Sequence, residues 1–204
     1  MIRIAVSSAS FTTRFQAILG MARRPQAILM AAGREAGNQL RKHFVAKDRS
    51  SANTLAPDRR SHLWLKIRQS VQAPQPAGAT AVSVAINHPI IAQKVFGGPI
   101  VAKRVKNLAI PRSEEAYGRS PATMEQETGL KLFVLKKKDA GGGRGGLLVS
   151  EAEGQGIKVH YLLTPRVDQD ADATALPAEP TFSNSILQRA AAVLQRQLNG
   201  TQPA

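Results

Sequence analysis

The spacing of apolar residues changes twice along this chain, and those changes restrict its fold more than any other sequence feature. Residues 25–47 and 63–71 carry the three-to-four-residue spacing of amphipathic helices, and residues 181–199 return to it. Between them, short two-residue alternations typical of strands recur from residue 82 to residue 163. This order of helices, strands and a closing helix predicts an α+β fold, with N-terminal amphipathic helices packed on a mostly antiparallel sheet.

The predicted apolar faces of the helices follow directly from this spacing. The first helix is expected to bury Ile28, Ala32, Ala36, Leu40 and Phe44. The second is expected to bury Leu63, Trp64, Ile67 and Val71. The last is expected to bury Ile186, Leu187, Ala190, Val193, Leu194 and Leu198.

The strand patterns predict a sheet with one long hairpin. The sequence predicts strands at residues 82–86, 108–111 and 157–163. It predicts one or two helical turns at residues 90–96, which end at Gly97 and Gly98. Segments 130–138 and 146–150 flank a glycine-rich loop, which predicts a hairpin with a long tip.

A length of 204 residues suits one domain with an appended arm. The predicted parts are a basic strand and helix arm at 1–24, an α+β core at 25–163, an extended acidic connection at 164–180, a helix at 181–199 and a tail at 200–204. The arm has no acidic residue, a composition that mitochondrial transit peptides share, so that alternative stays open.

The net charge of +14 is unevenly distributed along the chain. Residues 1–138 hold 23 basic and 7 acidic side chains, whereas residues 139–204 hold 5 and 7. This imbalance favours contact with a polyanion or with an acidic protein surface. Two clusters stand out, Lys103 with Arg104 and Lys106, and the run 136–138; each is explained equally well as a partner contact or as protection of a strand edge. Aromatic residues make up only 4% of the chain, which argues against a stacking platform for single-stranded nucleic acid.

The sequence predicts no catalytic, cofactor or metal site. There is no cysteine, and the four histidines show no metal-ligand spacing, so they read as structural residues. The glycine-rich run 141–146 lacks the Gly-Lys-Ser/Thr ending of a phosphate loop and reads as a hairpin tip. Four carboxylates have the spacing of a calcium loop but lack its central glycine, so they read as a solvated connection. These are Asp168, Asp170, Asp172 and Glu179.

Several short segments resemble, in order and spacing, the phage virion morphogenesis or minor tail protein Z-like (tail completion) family of Mu-like tailed phages. The resemblance covers about residues 33–165. Its segments are Ala36–Phe44, Asn53–Leu55, Arg60–Trp64, Ile86–Pro89, Gly97-Gly98, Leu108–Pro111, Ala116–Arg119 and Leu132–Leu135.

The resemblance implies a non-enzymatic virion protein of the phage neck, made in the host cytoplasm. It implies an α+β subunit of a homo-oligomeric ring, commonly a hexamer, around the channel through which double-stranded DNA leaves. Its partners would be the head connector or stopper and the tail terminator or tail tube, with no cofactor and no membrane.

Within such a ring, the basic residues are expected to contact protein partners and the acidic connection to face the channel. The expected partner contacts are Lys103, Arg104, Lys106 and Arg144. The expected channel-facing residues are Asp168, Asp170, Asp172 and Glu179. Two alternatives remain: a tail terminator ring that caps the tail tube, and a basic cytoplasmic DNA-binding protein.

Overall fold

The fold is taken from a computed structural model of the chain, which describes residues 20, 25–51, 55–56, 61–136, 145–152 and 156–199. Most of the predicted N-terminal arm, the C-terminal tail and the glycine-rich tip with Arg144 lie outside the described residues.

The described residues confirm the α+β class. Their helices are α1 (Gln26–Ser50), α2 (Leu63–Gln69), α3 (Ile91–Phe96), α4 (Pro121–Thr128) and α5 (Glu179–Asn199). Their strands are β1 (Gln75–Pro76), β2 (Val82–Ser83), β3 (Gly98–Val101), β4 (Leu108–Pro111), β5 (Phe133–Lys136), β6 (Gly146–Ala152), β7 (Gly156–Thr164) and β8 (Arg166–Gln169).

The chain divides into two compact units. We call the first the helical unit; it draws on Met1–Lys47, Trp64–His88 and Leu176–Ala204. The second, the sheet unit, draws on Asp48–Leu63 and Pro89–Ala175. Each has its own buried side chains, so each is described separately below.

In the helical unit the core lies between α1 and α2. The Phe44 and Trp64 rings stack at 5.9 Å between centroids, and both side chains are buried, together with Ile67 and Val71. The Lys47 ammonium lies 4.8 Å from the centroid of the Trp64 ring, which adds a cation–π contact. The predicted inward face of α2 is therefore confirmed at Trp64 and Ile67, whereas Leu63 is half-buried. Val71 is buried but lies beyond the end of α2, in an antiparallel bridge with Ile86.

The predicted stripe of α1 is only partly correct. Leu40 and Phe44 are buried, but Ile28, Ala32 and Ala36 are half-buried, and Gly33 and Gly37 lie inside instead. A Cβ atom at Gly33 would lie 2.6 Å from Cγ1 of Val82. The close approach of β2 therefore requires glycine on this face, and apolar spacing does not report such a contact.

The closing helix α5 was predicted almost to its ends, since it was expected at 181–199 and runs over Glu179–Asn199. One inward position was wrong: Leu187 is 64% exposed. The other five predicted positions are half-buried.

In the sheet unit four antiparallel strands lie in the order β4-β7-β6-β5. The predicted hairpin is confirmed, because β5 pairs with β6 over Phe133↔Val149 to Lys136↔Gly146. The sheet buries Tyr161 against Met124 of α4 and against Ala116. The sequence analysis did not predict α4. Its ends do carry signals, since the Ser120 side chain accepts a hydrogen bond from the Thr123 N–H and Gly129 ends the helix. Met124 is the only buried residue of α4, so the sequence of this helix shows no repeated apolar spacing that would predict it.

A second, two-stranded ribbon joins β3 to β8, with Gly98 opposite Gln169 and Val101 opposite Arg166. Residues 164–180 were expected to form an extended acidic connection, but residues 166–169 within it form strand β8, which pairs with β3. Val167 is the only strongly apolar residue of β8, so no alternation marks it as a strand. Residues 166–169 form a strand because their backbone pairs with β3, and the residues of β3 lie far away in the sequence.

Gly97 sets the path of the chain into this ribbon. It has φ +67° and ψ −158°, a combination open essentially to glycine alone. A Cβ atom there would lie 2.7 Å from both the Gln169 carbonyl oxygen and the Ala171 backbone nitrogen. Both contacts are with backbone, so no side chain can move aside to relieve them.

We expect Gly97→Ala to destabilise the sheet unit by about 3 kcal/mol, since backbone strain and overpacking add. Gly129→Ala is the matched control: Gly129 is also at positive φ but has open space around it, so its cost should be about 1 kcal/mol. Urea unfolding, with amide exchange of β3 and β8, measures the difference. Equal costs for the two variants would contradict the proposed clash.

Candidate assembly surface

A loop projects from the sheet unit where one strand pairing gives way to the next. β3 pairs with β8 and β4 pairs with β7, so Val101 lies opposite Arg166 and Leu108 opposite Thr164. Only Pro165 separates those two partners, whereas residues 102–107 separate Val101 from Leu108. Because proline has no N–H to donate, the ladder is interrupted there, and the extra residues loop out.

Residues 102–107 form what we call the basic loop. Lys103, Arg104 and Lys106 are exposed and surround Val105, which is 64% exposed. Among the described residues, none of the three cations has an ion-pair partner. The loop is held at its start by the hydrogen bond that the Ala102 N–H donates to the Pro165 carbonyl at 3.1 Å.

Strand β3, which leads into the basic loop, carries exposed apolar side chains. Ile100 and Val101 are both exposed. Apolar area beside cations that have no ion-pair partner among the described residues is the composition of a protein-binding surface. The three basic residues predicted from the sequence therefore lie together, with apolar neighbours that the sequence analysis did not include.

The four predicted acidic residues do not form a single group. Asp168 pairs with Arg166 on β8, with Oδ1 and Nη2 2.5 Å apart. Asp172 accepts hydrogen bonds from the Thr174 N–H at 2.9 Å and from its hydroxyl at 2.7 Å, which closes a turn. Asp170 is exposed, and Glu179 begins α5 in the helical unit. Their orientation towards a channel stays a prediction.

Within the described ranges, no three His, Asp or Glu side chains gather in a way that could hold a metal ion. The carboxylates with calcium-loop spacing are among these described residues, and Asp168 and Asp172 are already engaged by other side chains of the protein. No helix in the described part of the chain combines the length and apolar character needed to cross a membrane.

A buried histidine links three segments of the sheet unit. The Nδ1 atom of His160 lies 2.9 Å from the Ser113 hydroxyl, and its Nε2 atom lies 2.8 Å from the Ser150 hydroxyl. A register shift in the β6–β7 pairing falls at this point, and the consecutive residues His160 and Tyr161 are both fully buried. Burial lowers the pKa of His160 and so favours the neutral ring.

Beside this histidine, Lys158 and Glu115 form a partly exposed ion pair, with Nζ and Oε1 2.6 Å apart. The hydrogen bond from Lys158 is the main cause that lowers the pKa of Glu115 to about 2. Neither serine partner of His160 had a sequence signal, because Ser150 reaches His160 only when β6 pairs with β7, and Ser113 only when β4 pairs with β7.

The helical unit contains a groove of about 400 Å³ between α1 and α5, floored by Ala27, Ala31 and Val193. Arg34 and Arg189 lie at its rim, while Glu35 accepts a hydrogen bond from the Gln39 amide at 2.6 Å. The volume suits a side chain or a small molecule and is far too small for duplex DNA.

Comparison with protein-family models, with curated protein sequences and with solved structures gave no match.

We predict an acid-sensitive stability that falls in two steps. The pKa of His160 is lowered in the folded state, so stability should fall as pH drops below about 6.5, where the unfolded chain takes up a proton that the folded chain resists. Glu115 should add a second fall between about 4.5 and about 2.

Urea unfolding across this pH range tests both steps. His160→Gln should flatten the upper fall and keep the lower one, and Glu115→Gln should do the reverse. An unfolding free energy that stays constant from pH 7 to pH 5.5 in the unchanged protein would contradict the role of His160.

Proposed function

We propose that this chain is a structural protein of a phage neck: a tail completion or head–tail joining subunit of a ring around the DNA exit channel. The observation that carries the proposal is the basic loop, which presents an exposed valine and three cations without an ion-pair partner among the described residues, from a strand pairing interrupted at Pro165. Such a loop on a rigid sheet is suited to binding an acidic protein surface.

The anchoring of this loop supports a binding role. Both of its ends continue directly into paired strands, β3 and β4. Because folding already restricts these ends, less conformational entropy is lost when the loop binds a partner. A partner surface that carries carboxylates around an apolar pocket would complement the three cations and Val105 together.

The segments that resemble the tail completion family support the same proposal, because several of them belong to the four-stranded sheet or contact it. Leu108–Pro111 forms β4, and Leu132–Leu135 leads into and forms most of β5. In the segment Ala116–Arg119, the carbonyls of Ala116 and Arg119 accept hydrogen bonds from the Tyr161 hydroxyl, at 3.4 and 3.2 Å. These residues supply β4 and most of β5, the two outer strands of the four-stranded sheet, and a turn whose carbonyls bond to Tyr161 of β7.

Reversal of the loop charges, Lys103→Glu with Arg104→Glu and Lys106→Glu, should block head–tail joining while the subunit stays folded. A lost charge contact of about 1.4 kcal/mol weakens binding tenfold, so we expect the yield of infectious particles to fall by about tenfold or more. Lys66→Glu with Arg68→Glu, on exposed positions of α2, is the charge-reversal control. Normal infectivity of the loop variant would argue against the proposed contact.

Electron microscopy of purified particles tests the location. The proposal expects the protein between the portal and the tail tube; density in the capsid shell or at the tail tip would be incompatible with it. Headless tails separate the two ring positions, since a tail terminator would remain on them and a head–tail joining protein would not.

The three exposed cations of the basic loop also favour a second candidate, a DNA-binding protein. Three phosphate contacts would steepen the salt dependence of duplex binding by about 0.9 for each contact. We expect the loop variant to lose joining without a change in this slope. A slope reduced by about three units, with joining intact, would favour the DNA-binding function instead.

A further inference from the structure

Strand β5 is an edge strand with unusual exposure. It lies at the end of the order β4-β7-β6-β5, and all four of its residues are exposed. Three of them are consecutive apolar residues: Phe133 at 39%, Val134 at 53% and Leu135 at 37%. Alternate residues of a strand point to opposite faces, so β5 presents apolar groups on both faces as well as unpaired backbone groups. An edge of this kind is a template for another strand.

The opposite edge of the same sheet is much less open to a new strand. β4 ends at Pro111, which has no N–H to donate, and all four of its residues are half-buried. The two edges are therefore not equivalent, and a sheet extended by another chain would grow at β5.

The charges around β5 indicate which strand it would accept. Lys131 and Lys136 flank the apolar residues and have no ion-pair partner among the described residues. They disfavour pairing of two β5 strands, since such a pair would bring like charges together. They favour a strand that carries carboxylates.

The sheet unit itself contains a strand of that kind. β8 pairs with β3 along one edge, and its other edge has no strand partner within the described residues. It carries Asp168, and Asp170 follows directly; Asp170 is exposed and has no ion-pair partner among those residues. Because Asp168 is paired with Arg166, Asp170 is the carboxylate at this edge that has no ion-pair partner in the part of the chain that the structure describes.

We infer that β5 of one copy pairs with the free edge of β8 of the next copy, so that a continuous sheet joins neighbouring subunits. The two surfaces differ, which makes the contact head-to-tail, and repeated head-to-tail contacts close into a ring when the rotation between copies permits. This inference rests on the proposed ring function for its biological setting and names the subunit contact within it. The strand pair sets the register, and flanking surfaces supply the remaining buried area that a stable interface needs.

Two opposite charge reversals test this pairing. Variant one carries Lys131→Glu and Lys136→Glu on the β5 side, and variant two carries Asp168→Lys and Asp170→Lys on the β8 side. All four positions are exposed, so folding should be preserved, which circular dichroism checks. Sedimentation at increasing protein concentration should show oligomers for the unchanged protein and association weakened roughly tenfold or more for each variant alone.

Mixing the two variants should restore association, because each reversed β5 then meets a reversed β8. The same restoration is expected when all four substitutions are combined in one chain. The control pair Lys66→Glu with Arg68→Glu should assemble like the unchanged protein. Val134→Ser should weaken association without any change of charge, since the exposed valine is expected to be covered in the contact.

The pairing is overturned if the unchanged protein stays monomeric at every concentration, if either variant assembles normally, or if the control loses assembly as well. The proposed function is judged separately, by the position of the protein in particles. A neck ring that tolerates both reversals would overturn the strand contact alone, and reversal-sensitive oligomers absent from the neck would overturn the function alone.

Discussion

The backbone ladder that runs from β7 through β8 is the interaction on which the sheet unit depends. β7, before Pro165, pairs with β4, and β8, after Pro165, pairs with β3. One continuous stretch of the chain therefore holds two other strands in place. The missing N–H of Pro165 leaves a gap in that ladder, and the basic loop leaves the sheet at this gap. The basic loop thereby acquires a fixed position without any long apolar segment to hold it.

The covered face of the sheet explains how its edges can remain exposed. Tyr161, Met124 and Ala116 form the packed centre, and His160 bonds two serine hydroxyls beside it. Both ring nitrogens of the buried His160 have a serine partner, and burial lowers the pKa of the ring, so the histidine links β7 to β6 and to the segment after β4. The stability of the sheet therefore comes from its interior, and β5 is left available for other contacts.

The charges of the sheet unit separate into neutralised and free groups. Some charges are paired within the unit: Glu115 with Lys158, Glu127 with Arg119, and Asp168 with Arg166. The cations of the basic loop have no such partners among the described residues. Part of the positive charge of the chain thus lies on exposed cations without ion-pair partners among the described residues, and the basic loop holds three of them within residues 103–106.

The sequence by itself determined the class of fold, most helix positions, the β5–β6 hairpin and the basic cluster at 103–106, because apolar periodicity and local charge are carried by neighbouring residues. Only the tertiary structure decided that residues 166–169 are a strand, that Met124 belongs to a helix and that Gly33 and Gly97 lie at close contacts. It also brought Ser113 and Ser150 to His160 and left β5 at an edge. These features depend on backbone pairing and packing between residues distant in sequence, and a local pattern carries no information about such contacts.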